Sequence, residues 1–227
     1  MLFITRPTVL ITGCDSGLGR EFARQYAEAG WMVWATYRDL ANAAPDERMQ
    51  HAALDVTVPE QFAALGARVA GAPIDLLVSN AGVGLDTLPL GSLDYAHVQR
   101  MLDVNLVGAL RLVETFADQV AASTLRRVVL ITSRMGSIAS NLTGGHYGYR
   151  ASKAGLNAVG RSLAIDLARR GVTVTMIHPG WVATAGGSAH APLSAAASVT
   201  AMRATLARQG NHETGTYVSY DGQPLPW

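Results

Sequence analysis

The stretch HYGYRASK, residues 146–153, brings two tyrosines and one lysine to the point where a helical pattern begins. On a helix running from about residue 148, Tyr149 and Lys153 stand four apart on one face, whereas Tyr147 has Ala151 at that offset. An ammonium beside a phenol favours the phenolate and draws the tyrosine pKa towards a range useful for proton transfer. Tyr149 is therefore the candidate general acid/base, and Tyr147 a packing residue or pocket wall. Upstream, VVLITSRMGS sets Ser133 at the carboxyl end of an expected central strand, where open α/β sheets bind ligands, and its hydroxyl is placed to hold a substrate oxygen.

A second group lies near the amino terminus. After TVLIT (8–12) comes GCDSGLG, with glycines at 13, 17 and 19, and then REFARQYAEAG, which reads as a helix ending at Gly30. A strand, a glycine turn and a helix start make a phosphate site. The glycines permit positive φ and close backbone approach, while the helix end offers unpaired N–H groups and partial positive charge. Gly13, Asp15, Ser16, Gly17, Leu18 and Gly19 are the candidate dinucleotide contacts, in a T-G-x-x-x-G-x-G spacing that departs from G-x-G-x-x-G. The next strand ends in WATYRD, where Tyr37 stands in place of an acid that would bind an adenosine ribose. Arg38 follows, and its forked guanidinium suits a 2′-phosphate, so NADP(H) is preferred. NAD(H) stays possible, because the adjoining Asp39 can neutralise or redirect Arg38. Cys14, inside this turn, is expected to have a lowered pKa and sensitivity to oxidation.

These residues need a scaffold. Short Val/Ile/Leu runs at 8–12, 32–36, 76–79, 128–132 and 172–178 alternate with helical stretches at 17–30, 93–123 (one helix or two joined) and 149–170. Runs apolar on both faces are buried on both faces, as in a helix-covered parallel sheet. The fold class expected is α/β, a single-domain Rossmann-type doubly wound parallel sheet of about seven strands with helices on both faces. One domain spans 1–227, and TAGGSAHAPLSAAAS, at 184–198, is expected to be the most mobile segment and a short substrate lid.

The chain has 227 residues, 49% hydrophobic and 15% charged, which suits one core and not two comfortable domains. A net charge of +1 with scattered basic residues argues against nucleic acid and membrane surfaces as partners. One cysteine excludes an internal disulfide, and a reducing, cytoplasmic setting fits. The segment MLFITRPTVLITG is broken by Arg6 and Pro7 before it reaches the length of a secretory signal, and no run is long enough to span a membrane.

Taken in order, TGCDSGLG, SNAG (79–82), DVN (103–105), TSRMGS (132–137), YRASK (149–153) and HPGWVAT (178–184) resemble the motifs of the short-chain dehydrogenase/reductase family through nearly the whole chain. ATYRD, TGGHYGYRASK, HPGWV and the terminal YDGQPLPW are similar to its C-factor and sniffer-like carbonyl reductase branch, as is the sixteen-residue step from Ser133 to Tyr149. The resemblance implies a catalytic tetrad of Asn105, Ser133, Tyr149 and Lys153, with Asn105 holding a water in a proton relay and no metal. It implies that Asn80, Ala81 and Gly82 line the adenosine side, that Asp55 and Val56 of LDVT lie at the adenine, and that Pro179, Gly180, Val182 and Thr184 border the nicotinamide. It further implies hydride transfer between NADP(H) and a small-molecule carbonyl or alcohol, and a homodimer or homotetramer formed through helices at 93–123 and 149–170. A catalytically weak dinucleotide-binding signalling or sensor protein is the alternative. ATAGGSAHAPLS lacks an aspartate found in that branch, and Ser79 replaces the first asparagine of the usual N-N-A-G. His146 is a candidate substrate contact, His178 a structural residue, and Trp181 either a pocket wall or packing.

Overall fold

The structure, a computed structural model, describes residues 6–43, 46–183, 191–210 and 213–227. Its strands are β1 (Thr8–Ile11), β2 (Met32–Tyr37), β3 (Met49–Ala53), β4 (Leu76–Ser79), β5 (Arg127–Ile131), β6 (Thr173–His178), β7 (Val182–Ala183), β8 (Leu193–Ser194) and β9 (Thr216–Ser219). Its helices are α1 (Gly17–Glu28), α2 (Pro59–Val69), α3 (Tyr95–Leu102), α4 (Gly108–Ala121), α5 (Tyr147–Ala168) and α6 (Ala195–Arg208). Seven strands form one parallel sheet in the order β3-β2-β1-β4-β5-β6-β9, as expected, and β7 pairs with β8 beside it.

Alternation along buried strands sends successive side chains to opposite layers. Leu10, Leu77, Leu130 and Met176 pack with Phe62 of α2, Phe116 of α4 and Leu156 of α5. Val9, Ile11, Val78, Ile131 and Ile177 pack on the other side with Phe22 of α1 and Met202 of α6. The chain reverses its direction of winding between β1 and β4, and a crevice opens at their carboxyl ends, the usual ligand position in such sheets.

The helical stretch expected over 93–123 is broken by a π-helical turn at Asp103–Val107. Directly after this turn Gly108 packs against the loop after β3, where a Cβ would lie 2.8 Å from Val56 Cβ. Only glycine lets α4 start so close to the loop after β3. Strands β3 and β9 and helices α2 and α6 went unread in the sequence. MQHAA has little β character, and Ala-rich α6 has a weak apolar stripe. The segment expected to be a mobile lid is already in regular structure at Leu193–Ser194 and from Ala195 onward, while 184–190 lie outside the described residues.

His178 closes β6 with Nδ1 buried and without a partner among the described residues. Burial, reinforced by the Arg134 charge and opposed by Asp221, holds its pKa down to about 4, against 6.5 ordinarily. The unfolded chain therefore takes up a proton that the folded chain refuses, so stability from this group is complete above 6.5 and falls as pH drops towards 4. Denaturant unfolding is expected to show it costing about 2 kcal/mol between pH 7 and about pH 5, a loss absent in His178→Gln.

Candidate active site

The glycine turn is built by a staple between β1 and β4. Thr12 Oγ1 accepts from the N–H groups of Asn80 (3.0 Å) and Ala81 (3.1 Å), and Asn80 Nδ2 donates to the carbonyls of Thr12 (2.9 Å) and Gly13 (3.1 Å). Gly13, at φ +73°, presses on Ala81, and a Cβ on Gly19 would overlap the Gly13 carbonyl. Ser16 starts α1 without a side-chain cap. Among the described residues no acceptor meets the N–H groups of Gly17, Leu18 or Gly19. A row of unpaired donors with the positive end of a helix dipole suits a pyrophosphate. Ser16, Gly17 and Leu18 line a cleft of about 390 Å³ there.

At the adenosine end, the Asp15 carboxylate accepts from the backbone of Arg38 (3.0 Å) and Asp39 (3.2 Å) and from Asn42 Nδ2 (3.1 Å). Although burial acts to raise its pKa, these donors hold it below the ordinary value. Asp15 thus fixes the Arg38 backbone. Asp39 spends its carboxylate on Ala41 N–H at 2.9 Å, and Arg38 has no ion-pair partner among the described residues. Arg38 and Arg100 both line the cleft, and both favour the ionised form of Asp55, whose pKa lies below its ordinary value despite desolvation, chiefly through hydrogen bonds from Thr57. Two sequence expectations fail here. Tyr37 turns into the core and meets His51 Nδ1 at 3.2 Å instead of lining the cleft. Cys14 is fully buried, and desolvation pushes its thiol pKa up, so helix-end activation does not occur.

At the other end stand Tyr149 and Lys153, with Ser133 beside Tyr149 but outside the cleft wall. Lys153 lines the cleft, its Nζ donating to the Ile131 carbonyl at 2.9 Å and lying 5.9 Å from the Tyr149 ring centre. Desolvation lowers its pKa to about 8. Burial raises the Tyr149 phenol above its ordinary value, and the Ser133 hydroxyl alongside acts in the opposite sense. This corrects the expectation of a phenol made acidic by lysine: both groups are held towards their neutral forms by loss of water. Ser133 is held at its carbonyl and its hydroxyl, and the turn after it packs on α5. Tyr217 Oη donates to its carbonyl at 2.7 Å, its own Oγ caps the following turn, and Gly136 packs on the backbone of Lys153. Thr132 Oγ1 is bolted to Asn157 of α5 at 2.7 Å.

A family model described as short chain dehydrogenase matches residues 7–192. The chain belongs to the short-chain dehydrogenase/reductase family. It is 39% identical to the C-signal of Myxococcus xanthus over 164 residues, covering 72% of this chain and 99% of that one. Its fold matches the carbonyl reductase Sniffer of D. melanogaster with a TM-score of 0.90 at 26% identity, covering 98% of this chain and 100% of the other. A Burkholderia multivorans short-chain dehydrogenase/reductase solved with bound NADP matches with a TM-score of 0.87 at 31% identity, again covering 98% and 100%. These likenesses put it in the C-factor and sniffer-like branch of the family.

Of the short-chain dehydrogenase/reductase positions expected from sequence, the cleft gathers Gly13, Asp15, Ser16, Gly17, Leu18, Arg38, Asp55, Val56, Asn80, Ala81, Gly82, Tyr149, Lys153 and Pro179. Gly19 supports the turn from beneath, Gly180 packs on Leu193 and Tyr220, and Val182 is buried in β7. Thr184 lies outside the described residues. Asn105 is not in the cleft wall. Its Oδ1 accepts from Val83 N–H (2.8 Å), and Nδ2 donates to the Val83 carbonyl (3.2 Å) and Ser152 Oγ (3.0 Å). Both amide hydrogens are used, tying Val83 to Ser152 of α5. Trp181 is largely exposed and does not pack in the core, and His146 directs Nδ1 to the Asp86 carbonyl at 2.5 Å. The sequence reading missed Arg100, Val83, Gly84 and Thr132 as wall residues. Arg100, five residues before Asn105 in DVN, was within reach of that motif. Among the described residues there is no cluster of potential metal ligands and no helix long and apolar enough to cross a membrane.

Proposed function

We propose that this short-chain oxidoreductase moves a hydride between NADP(H) and a small carbonyl or alcohol, with Tyr149 as general acid/base. One observation carries the reading: a single cleft runs from unpaired helix-end donors and two arginines to Tyr149 and Lys153. The bound dinucleotide supplies the hydride. Gly17 and Leu18 N–H groups would hold its pyrophosphate, Arg38 its 2′-phosphate, and Lys153 the ribose beside Tyr149. In reduction, Tyr149 gives its proton to the substrate oxygen while Ser133 donates a hydrogen bond to that oxygen as negative charge develops. A phenol whose pKa is raised stays protonated at neutral pH, so its ground state is the proton donor.

Lys153 loses its charge as pH rises through about 8. Reductive kcat/KM is expected to be level below that pH and to fall about tenfold per unit above it. A profile with no alkaline limb would remove the ammonium from the reaction. The general test is NADPH consumption across aldehydes, ketones and quinones, alongside a fluorescence titration of cofactor binding. Turnover on some members supports the oxidoreductase reading. Tight binding with no turnover on any would favour a signalling or sensor role, a second reading supported by likeness to the C-signal protein.

Association as a homodimer or homotetramer belongs to the same proposal. Val107 and Leu110 near the start of α4 and Ile165 on α5 are exposed apolar residues that a second copy would cover. Light scattering at micromolar concentration is expected to give a multiple of the 23.9 kDa chain mass, and a monomer would oppose this.

A further inference from the structure

The helix that carries Tyr149 has no cap of its own. His146, at its N-cap position, has φ +51° and makes no side-chain cap bond, and its first turn contains no acidic residue. The cap comes from a loop some sixty residues earlier. Asp86 is buried, 7% exposed, and its carboxylate accepts from Gly148 N–H at 3.0 Å and from Tyr149 N–H at 3.3 Å. A carboxylate there satisfies two orphan donors and complements the positive helix end. From below, the same turn rests on α3, where a Cβ on Gly148 would lie 3.0 Å from Val98 Cγ2 and 3.1 Å from Met101 Sδ.

Asp86 is also one link in a closed circuit. Three residues earlier in its loop, Val83 lines the cleft and is gripped at both N–H and carbonyl by Asn105. Asn105 Nδ2 donates to Ser152 Oγ, which donates in turn to the Tyr149 carbonyl at 2.8 Å. The main chain of Tyr149 is therefore held at its N–H by Asp86 and at its carbonyl by Ser152, and both anchors lead to the same asparagine. We infer that Asp86 is a positioning residue for proton transfer, fixing the first turn of α5 so that Tyr149 enters the cleft with its hydroxyl beside Ser133.

The inference rests on Tyr149 being the acid/base, and its test reads the cap separately from turnover. Amide hydrogen exchange at Gly148 and Tyr149, NADPH affinity and steady-state kinetics are measured in full-length Asp86→Ala and Asp86→Asn. In Asp86→Ala, exchange at both amides is expected to quicken by at least about tenfold. Its kcat should fall about 10- to 100-fold while the NADPH Kd stays within about twofold, the signature of a displaced acid and not of a damaged cleft. Asparagine keeps one acceptor oxygen and should recover most of the lost kcat. Unchanged exchange in Asp86→Ala, or quickened exchange with kcat intact, overturns the inference. If Asp86→Ala does not fold, Ser152→Ala opens the circuit at its other end and is read in the same way. Full turnover by Tyr149→Phe would instead remove the acid/base reading and leave the exchange result standing.

Discussion

Tyr149→Phe is expected to lose reductive kcat/KM by about 10²- to 10⁴-fold, the range over which a positioned general acid accelerates proton transfer. The ring stays and only the hydroxyl goes, so packing on Lys153 and the first turn of α5 should be preserved. NADPH should therefore bind within about twofold of wild type, placing the whole loss in kcat. Tyr147→Phe is the matching control. Tyr147 is exposed, two residues away, and does not line the cleft, so its variant should keep wild-type kinetics. Equal losses in the two variants would deny Tyr149 its special place.

Arg38→Ala is expected to raise the Kd for NADPH about 10- to 100-fold while leaving NADH within about threefold, as read by quenching of intrinsic fluorescence. A hydrogen bond to a charged group contributes about 1.5–3 kcal/mol, and the guanidinium offers a bidentate grip on a phosphate. The reason to expect most of that range, despite the exposure of Arg38, is that no carboxylate among the described residues forms an ion pair with it and Asp15 anchors its backbone. Should NADPH and NADH weaken together, the residue would be serving the dinucleotide as a whole. If neither changes, Arg100, the other cationic wall of the cleft, carries the discrimination.

The sheet was legible because buried parallel strands such as TVLI and LLVS advertise themselves as apolar runs, and the glycine turn because close backbone approach leaves no room for a Cβ. MQHAA gives no such sign, since β3 is an edge strand covered mainly by its neighbour. Spacing put Tyr149 and Lys153 on one face of α5, but charge states depend on solvent, which spacing does not report. Burial raises the phenol pKa, and the group that opposes it is Ser133, not the lysine. The same blindness produced the expectations for Cys14 and Tyr37: both flank the cleft in sequence and turn inward in space. Asp86 was beyond reach for another reason. A cap supplied across sixty residues leaves no local S/T/D-before-helix pattern at the helix it serves.

The most direct measurement is a crystal structure of the chain with NADP. The pyrophosphate is expected on the N–H groups of Gly17 and Leu18 and the nicotinamide ring beside the Tyr149 hydroxyl and Ser133. A dinucleotide bound elsewhere, or a Tyr149 hydroxyl turned away from the ring, would contradict this.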